Sequence, residues 1–445
     1  MAKTVRKLAN RKNMVGPARF ARPASTNSHS GSRDCGATLE RAKPAVAGGG
    51  QIWSDTLEDS AGLENLAPAW QRLAEACGPT EQFIWATSCL ATLDAQRPLR
   101  MVSVNRDAQC VALAPLVLRR VRGIRRLAIA GLNDLHEPAD LLAADADSLR
   151  RLTALLVGRR EPLVVERMLA DSPTVAALED ACRGRAILVR RSAANCPYIS
   201  LDPSWLEPES HLNSGRRSDL RRARRKAEQS GPVRFEILTP GTADVDHLFD
   251  QALAIEAKSW KGEAGTALAH DRRRAEFFRH YVRQAAQAGV LRICLMYIGD
   301  CPAAMQIAVE QQQGFWLLKI GYDAAFATSS PGLLLMRETI RYAAAAGLKT
   351  YEFLGRAEAW TTVWTNQERS TVTVRIFPLT GRGMAALAAD TLAVVGRKML
   401  ANSHTAIQRL KVWASKPRLS CHPTPSRGPV PLFSAAIEPQ SQDKS

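Results

Sequence analysis

The chain reads as an α/β protein with mixed (α+β) sheets, arranged as two related units. Three observations predict this. Leu291–Ile298, Ala303–Glu310 and Phe315–Gly321 are apolar runs separated by tight breaks at Gly299-Asp300 and Gln313-Gly314, the pattern of consecutive antiparallel strands. Ser329-Ser330-Pro331-Gly332 then opens a stretch in which Leu333, Met336, Arg337, Ile340 and Ala344 keep helical spacing as far as Gly347, and Lys349–Leu354 is strand-like again. Finally, the same order of strands, Gly-containing loop, helix and strand occurs in the first half, with Gly131-Leu132-Asn133-Asp134 in the place of Gly321-Tyr322-Asp323.

Residues 1–50 carry ten Lys/Arg against Asp34 and Glu40, close to half of the net charge of +17. Rich in Ala, Ser, Gly and Pro, this segment reads as a disordered basic tail, and it lacks the apolar core of a secretory signal. Folded chain is expected from Ile52. Leu63–Ala76 and Glu81–Leu93 have helical periodicity, with Leu66, Trp70 and Leu73 on one face. Strands are predicted at Arg100–Asn105, Val111–Leu118 and Arg125–Ala130, followed by a loop over Gly131–Asp140. A helix at Asp147–Val157, a strand at Leu163–Met168, a helix at Thr174–Cys182 and a strand at Ile187–Arg191 complete a first unit over residues 51–200.

The second unit spans residues 201–415. It begins with a cationic helix predicted over Glu209–Gln229, bearing Arg216, Arg217, Arg221, Arg222, Arg224, Arg225 and Lys226 with a narrow Leu212/Leu220 stripe. It reads as a solvated linking helix or as a clamp on an anionic ligand. Nucleic acid is disfavoured, because no stacking aromatics are interleaved with the arginines. Val233–Leu238 is a strand, Val245–Trp260 and Arg272–Ala288 are helices, Val372–Phe377 is a closing strand and Ala385–Leu400 a terminal helix. Residues 416–445 turn Pro- and Ser-rich and read as a second disordered tail. No apolar run approaches the roughly 18 residues a membrane helix needs. The nine cysteines are scattered without a Cys-x-x-Cys pair, which points to neither a zinc knuckle nor a disulfide framework and implies a reducing cytoplasm. The histidines form no metal constellation, and neither a Gly-x-Ser-x-Gly elbow nor a Walker loop occurs.

A helix opened by Ser-Pro-Gly between two strands offers unpaired N–H groups to an anion. Ser330 is expected at the N-cap and Pro331 at the first helical position. This arrangement resembles the core of GNAT acyltransferases, so the expected fold is a tandem of GNAT-like units, the first degenerate for want of a Ser-Pro-Gly helix start. The closer resemblance is to the GNAT-like family associated with bacterial cellulose and exopolysaccharide biosynthesis. Residues 200–380 carry it, through Tyr322-Asp323, Ser330-Pro331-Gly332-Leu333-Leu334, Glu256-Ala257-Lys258-Ser259-Trp260-Lys261-Gly262 with Gly265-Thr266-Ala267, and Phe353-Leu354-Gly355 with Trp364. Two departures stand out. The Gln/Arg-x-x-Gly-x-Gly/Ala pyrophosphate loop of typical GNAT enzymes is reduced to Gly332. Ala359-Trp360 also replaces the family's tyrosine–lysine pair before Trp364, which leaves Arg356 as the alternative cation.

The resemblance implies an acyl-CoA (acetyl-CoA) co-substrate held at Ser329, Ser330, Gly332 and Leu333, with no metal. Acyl transfer to an amine or hydroxyl needs a proton acceptor and a proton donor near the thioester. Tyr322, Asp323, Lys319 and Glu310 are the candidates: Tyr322 to protonate the leaving thiolate, Asp323 or Glu310 as base, and Lys319 paired with Asp323 or a phosphate. Glu256, Trp260 and Lys261 are candidate walls of a substrate pocket. The expected activity is acyl-CoA-dependent N- or O-acylation of a sugar or cell-envelope (exopolysaccharide) precursor. The alternatives are a Fem-like aminoacyl transferase using aminoacyl-tRNA and a non-catalytic scaffold in exopolysaccharide biosynthesis.

Overall fold

Pro115 explains why the first half of the chain holds two sheets. A proline has no N–H to give to a ladder, and the run expected as one strand over Val111–Leu118 is broken there into β3 (Gln109–Ala114) and β4 (Leu116–Val121). β3 pairs with β2 (Met101–Arg106), which pairs with β1 (Ile52–Leu57), and β6 (Leu142–Ala143) closes that four-stranded sheet. β4 instead pairs with β5 (Ile124–Ile129) in a five-stranded sheet. β5 runs parallel to β7 (Leu163–Leu169) through Leu127↔Leu163 and Ala128↔Val164. The computed structural model describes residues 52–58, 62–259 and 268–414, all within one compact unit. The basic tail, the C-terminal tail, Trp260 and Lys261 lie outside the described residues.

The remaining strands are β8 (Ala186–Ser192), β9 (Cys196–Ser200), β10 (Val233–Leu238), β11 (Leu291–Ile298), β12 (Cys301–Gln311), β13 (Gly314–Tyr322), β14 (Thr350–Glu352), β15 (Glu368–Arg369) and β16 (Thr371–Pro378). The five-stranded sheet has the order β4-β5-β7-β16-β8, and the seven-stranded sheet the order β10-β11-β12-β13-β14-β9-β15. Strands from either side of the boundary expected near residue 200 share these sheets. β9 leaves the first stretch to pair with β14, while β16 returns to sit between β7 and β8.

The helices are α1 (Leu63–Leu73), α2 (Phe83–Ala91), α3 (Leu132–Leu135), α4 (Ala146–Gly158), α5 (Pro173–Cys182), α6 (Ser214–Ser230), α7 (Val245–Ala257), α8 (Arg272–Gln287), α9 (Pro331–Ala345) and α10 (Gly381–Ala414). Side-chain caps set several starts. Asp145 accepts from Ser148 N at 2.7 Å, and Asp271 accepts from Arg274 N at 3.1 Å. The cationic helix begins at Ser214 rather than Glu209, because Asn213 caps Arg216 N at 2.8 Å and Pro208–His211 is a separate 3₁₀ turn. α2 and α8 join the two halves. Trp85 lies edge-on to Phe277 and Tyr281, both at 5.0 Å, in a core shared with Cys89, Leu93, Val117 and Ala130.

A buried ion cluster ties down the returning end. Arg126, 2% exposed, makes a two-pronged contact of 2.7 and 2.8 Å with Asp390 on α10, and Arg375 of β16 adds a third bond at 3.1 Å. Arg122 approaches the same carboxylate at 3.3 Å. These cations hold the Asp390 carboxyl below its ordinary value despite its burial.

Candidate functional site

The site begins where a parallel strand pair comes apart. β13 and β14 are paired only over Gly314↔Thr350, Phe315↔Tyr351 and Trp316↔Glu352. Just beyond, the register of β13 against β12 slips between Ile307 and Ala308, which leaves Leu318 as an extra residue. Such a bulge bends its strand and increases the local twist, here as the pairing with β14 ends. On the other side, Leu354 and Gly355 take positive φ angles of 53° and 47°, turning the chain away. A left-handed leucine is costly, and Leu354 is held there by burial, being 3% exposed.

The resulting wedge is a cavity of about 610 Å³. One wall is Leu317–Tyr322, the other Phe353–Arg356 with Trp360 and Trp364, and the start of α9 closes the mouth with Ser330, Gly332 and Leu333. The edge of β13 facing the wedge has lost its strand partner. Beyond Trp316 this part of β13 lines the cavity instead of pairing with β14.

The entry to α9 departs from expectation in one respect. Ser330 stands at the N-cap position, but in the left-handed region (φ 46°, ψ 53°), and its side chain makes no capping bond. Its carbonyl accepts from Leu333 N at 3.0 Å and Leu334 N at 3.2 Å. Pro331 has no N–H, so the first-turn amide left without an acceptor among the described residues is that of Gly332. Among the described residues, a Cβ on Gly332 would meet Tyr322 Cδ1 at 3.5 Å. The backbone there is open to an incoming anion.

The structure brings Lys319, Tyr322, Ser330, Gly332 and Leu333 to this one cavity. The Tyr322 hydroxyl has no hydrogen-bond partner among the described residues. Lys319 lies with Nζ 4.7 Å from the Phe278 ring centre. Other candidates are placed elsewhere. Asp323 does not pair with Lys319: one oxygen accepts from Ala325 N at 2.9 Å and the other is 3.4 Å from Lys258 Nζ. Glu310 sits at the hairpin end of β12, away from the cavity, in a two-pronged bond with Arg292 at 2.6 and 2.9 Å. Glu256 is 2% exposed and accepts from Leu268 N at 3.1 Å, so it is a structural buttress under β13 rather than a pocket wall. The Ser329 hydroxyl turns back to Phe326 O at 2.8 Å.

Several cavity residues escaped the sequence reading. Gln306 and Met336 line the cavity and belong to a buried polar knot. In it Thr339 Oγ1 lies 3.0 Å from the Tyr351 hydroxyl, which is 3.2 Å from Met336 Sδ and 3.4 Å from Gln306 Oε1. Burial pushes the Tyr351 hydroxyl far above its ordinary range, so it stays neutral. Glu137 comes from the first unit. Its Oε2 accepts from Gly355 N at 3.2 Å and stands 3.9 Å from Arg167, and its Oε1 has no partner among the described residues. Glu358 has both oxygens engaged, by Trp360 Nε1 at 2.8 Å and Arg356 Nε at 3.5 Å.

Gly131 N donates to the buried Asp94 at 2.6 Å, and Asp94 and Asp134 are bridged by Arg97 and Arg119. Arg167 of β7 crosses to the carbonyls of His136 and Gly355, tying the loop before β6 to the turn after β14 at the cavity rim. Among the described residues no three His, Cys, Asp or Glu side chains are grouped to hold a metal, and no helix is long and apolar enough to cross a membrane.

Residues 214–362 match the family model described as the acetyltransferase (GNAT) domain, a span that includes β13, the start of α9 and Phe353–Trp360. The chain carries a GNAT acetyltransferase domain. The fold that contains it is mixed α/β, with several sheets. Among curated proteins it is similar to a 4-diphosphocytidyl-2-C-methyl-D-erythritol kinase of Azorhizobium caulinodans, 30% identical over 138 residues, which are 30% of this chain and 44% of that protein. The chain thus spans less than half the length of that relative. Among solved structures it is similar to the C-terminal domain of a putative lysylphosphatidylglycerol synthetase from Agrobacterium fabrum, with 10% identity, TM-score 0.46 and coverage of 74% of this chain and 97% of that one. FemX gives 10% identity, TM-score 0.46 and coverage of 73% and 97%. A tandem GNAT protein from the clavulanic acid pathway gives 12%, 0.42, 74% and 98%. At these scores the likenesses carry no argument about chemistry.

Proposed function

We propose that the GNAT domain transfers an acyl group from acyl-CoA to an amine or hydroxyl of a sugar or cell-envelope precursor. The observation that carries this is the wedge between β13 and β14, opened at the Leu318 bulge and faced by the free Gly332 N–H. The residues present fit a coenzyme. Gly332 N–H would take a phosphate oxygen, the amide-bearing arm would lie along β13 past the end of its pairing with β14, and Phe353 and Trp364 would cover it. When bound, the coenzyme supplies the thioester carbon.

The chain's own groups divide the proton work. Tyr322 stands in the cavity with an uncommitted hydroxyl and is the proton donor to the leaving sulfur. Glu137 keeps one carboxylate oxygen free and is the proton acceptor for the attacking amine or hydroxyl. Lys319 and Arg356 line the same cavity and favour an acceptor bearing oxygen-rich or anionic groups. Asp323 and Glu310 are left out of this scheme, because their oxygens are already held by Ala325 N and Lys258 and by Arg292.

The test is thiol release from acetyl-CoA in the presence of a panel of amino and neutral sugars. Acceptor-dependent release is expected, falling about 100-fold or more in kcat for Tyr322→Phe or Glu137→Gln. Consumption of aminoacyl-tRNA with no response to acetyl-CoA would establish the Fem-like alternative. Binding of neither would establish a scaffold.

A further inference from the structure

The arginines of α6 are not all paired, and two unpaired ones border a groove. Arg222 pairs with Asp219 at 2.6 Å, Arg224 with Glu228 at 2.6 Å, and Arg217 donates to Leu212 O at 2.9 Å. Arg221 and Arg225, one helical turn apart and so on one face, meet no carboxylate among the described residues. Across from them α9 presents a second such pair, Arg337 and Arg341. These four side chains and Arg224 line one groove of about 680 Å³ between the two helices. Its carboxylates are Glu209 and Glu338. Glu209 bonds Arg337 at 2.6 and 3.0 Å, and Glu338 bonds both Arg337 and Arg341, the latter at 2.7 Å. The α9 pair is thereby neutralised and held in place, while the α6 pair keeps its charge. Leu220, Phe235 and Leu334 supply an apolar wall.

We infer that this groove is a second ligand site, distinct from the wedge, that takes the diphosphate group of a small nucleotide-type molecule. Two guanidinium forks one turn apart match the oxygens of adjacent phosphates, and Leu220, Leu334 and Phe235, whose ring lies under the Arg224 guanidinium at 5.5 Å, offer an apolar wall to the attached group. α9 forms one side of both sites. Gly332, Leu333 and Met336 face the wedge, and Leu334, Arg337, Glu338 and Arg341 face the groove. The inference does not depend on the coenzyme reading, because it rests on different side chains.

The experiment is isothermal titration of the full chain with uridine diphosphate and, separately, with inorganic pyrophosphate. Three proteins are compared: wild type, the double variant Arg221→Gln/Arg225→Gln, and Gly332→Glu. Saturable one-to-one binding of uridine diphosphate is expected in wild type. It should weaken at least tenfold in the double variant, whose exposed positions leave the melting temperature unchanged. It should persist in Gly332→Glu and in the presence of saturating acetyl-CoA. Pyrophosphate should bind the same site more weakly, lacking a group for the apolar wall. The proposal is overturned if the double variant binds as wild type does, or if acetyl-CoA or Gly332→Glu abolishes the binding. It is also overturned if only RNA or anionic vesicles bind.

Discussion

Replacing Gly332 with glutamate separates a binding site from an ordinary helix start. A Cβ there lies 3.5 Å from Tyr322 Cδ1, an ordinary contact that displaces none of the described residues. Glycine is about 1 kcal/mol worse than alanine inside a helix, and an acidic group in the first turn gains about 0.3–1 kcal/mol from the helix dipole. The variant should therefore melt at or slightly above the wild-type temperature. Its effect on acyl-CoA should be the reverse. A carboxylate about 4 Å from a phosphate costs about 4 kcal/mol at an effective dielectric near 20, and screening at this open mouth reduces that. With roughly 2–4 kcal/mol remaining, affinity should fall between about 30-fold and 1,000-fold. Gly332→Ala, which adds bulk without charge, should lose far less. Titration calorimetry with acetyl-CoA reads the affinity and differential scanning fluorimetry reads the fold. A stable Gly332→Glu protein that binds acetyl-CoA as tightly as wild type would refute the reasoning.

Three further outcomes follow from the packing. A Cβ on Gly321 would lie 2.9 Å from the Glu256 backbone, so Gly321→Ala should lose about 1–3 kcal/mol in urea denaturation as α7 is pushed off β13; an unchanged midpoint would contradict the close approach. Asp390→Ala strands the buried Arg126 without its partner and should cost about 3–5 kcal/mol by the same assay, whereas a loss below about 1 kcal/mol would mean the strand return is held by other contacts. Burial and the neighbouring Asp140 raise the Glu81 carboxyl to about 7, above its unfolded value, so its contribution is full below about pH 4.5 and is lost as pH rises through 7. Melting temperature should fall over that interval by the equivalent of up to about 3 kcal/mol, and Glu81→Gln should flatten the profile; a variant with the wild-type slope would reject this assignment.

Much of the second sheet was legible because its cues are local. Gly299-Asp300 and Gln313-Gly314 break apolar runs; the structure places one hairpin turn at Gly299-Asp300 and the other a residue earlier, at Gln312-Gln313. Pro331 and Gly347 bracket a helix in the same way. What was not legible depends on partners distant in sequence. β9 and β16 look locally like any other strands, and nothing in their residues says that each completes the sheet of the other half. Glu310 looked like a base at a strand end until the fold set Arg292 of the neighbouring strand against it. Glu137 reaches the cavity only because a loop of the first unit, held by Arg167, meets Gly355 across 218 positions of chain. One local signal was misread. Ser-Pro-Gly suggested a side-chain cap, but Ser330 adopts a left-handed turn and uses its carbonyl instead, which leaves Gly332 as the amide without an acceptor.

The most direct measurement is a crystal structure of the protein soaked with acetyl-CoA. The account predicts the pyrophosphate at the Gly332 N–H, the pantetheine arm along the β13 edge beyond Trp316, and the thioester within reach of the Tyr322 hydroxyl. Coenzyme bound outside the wedge would contradict it.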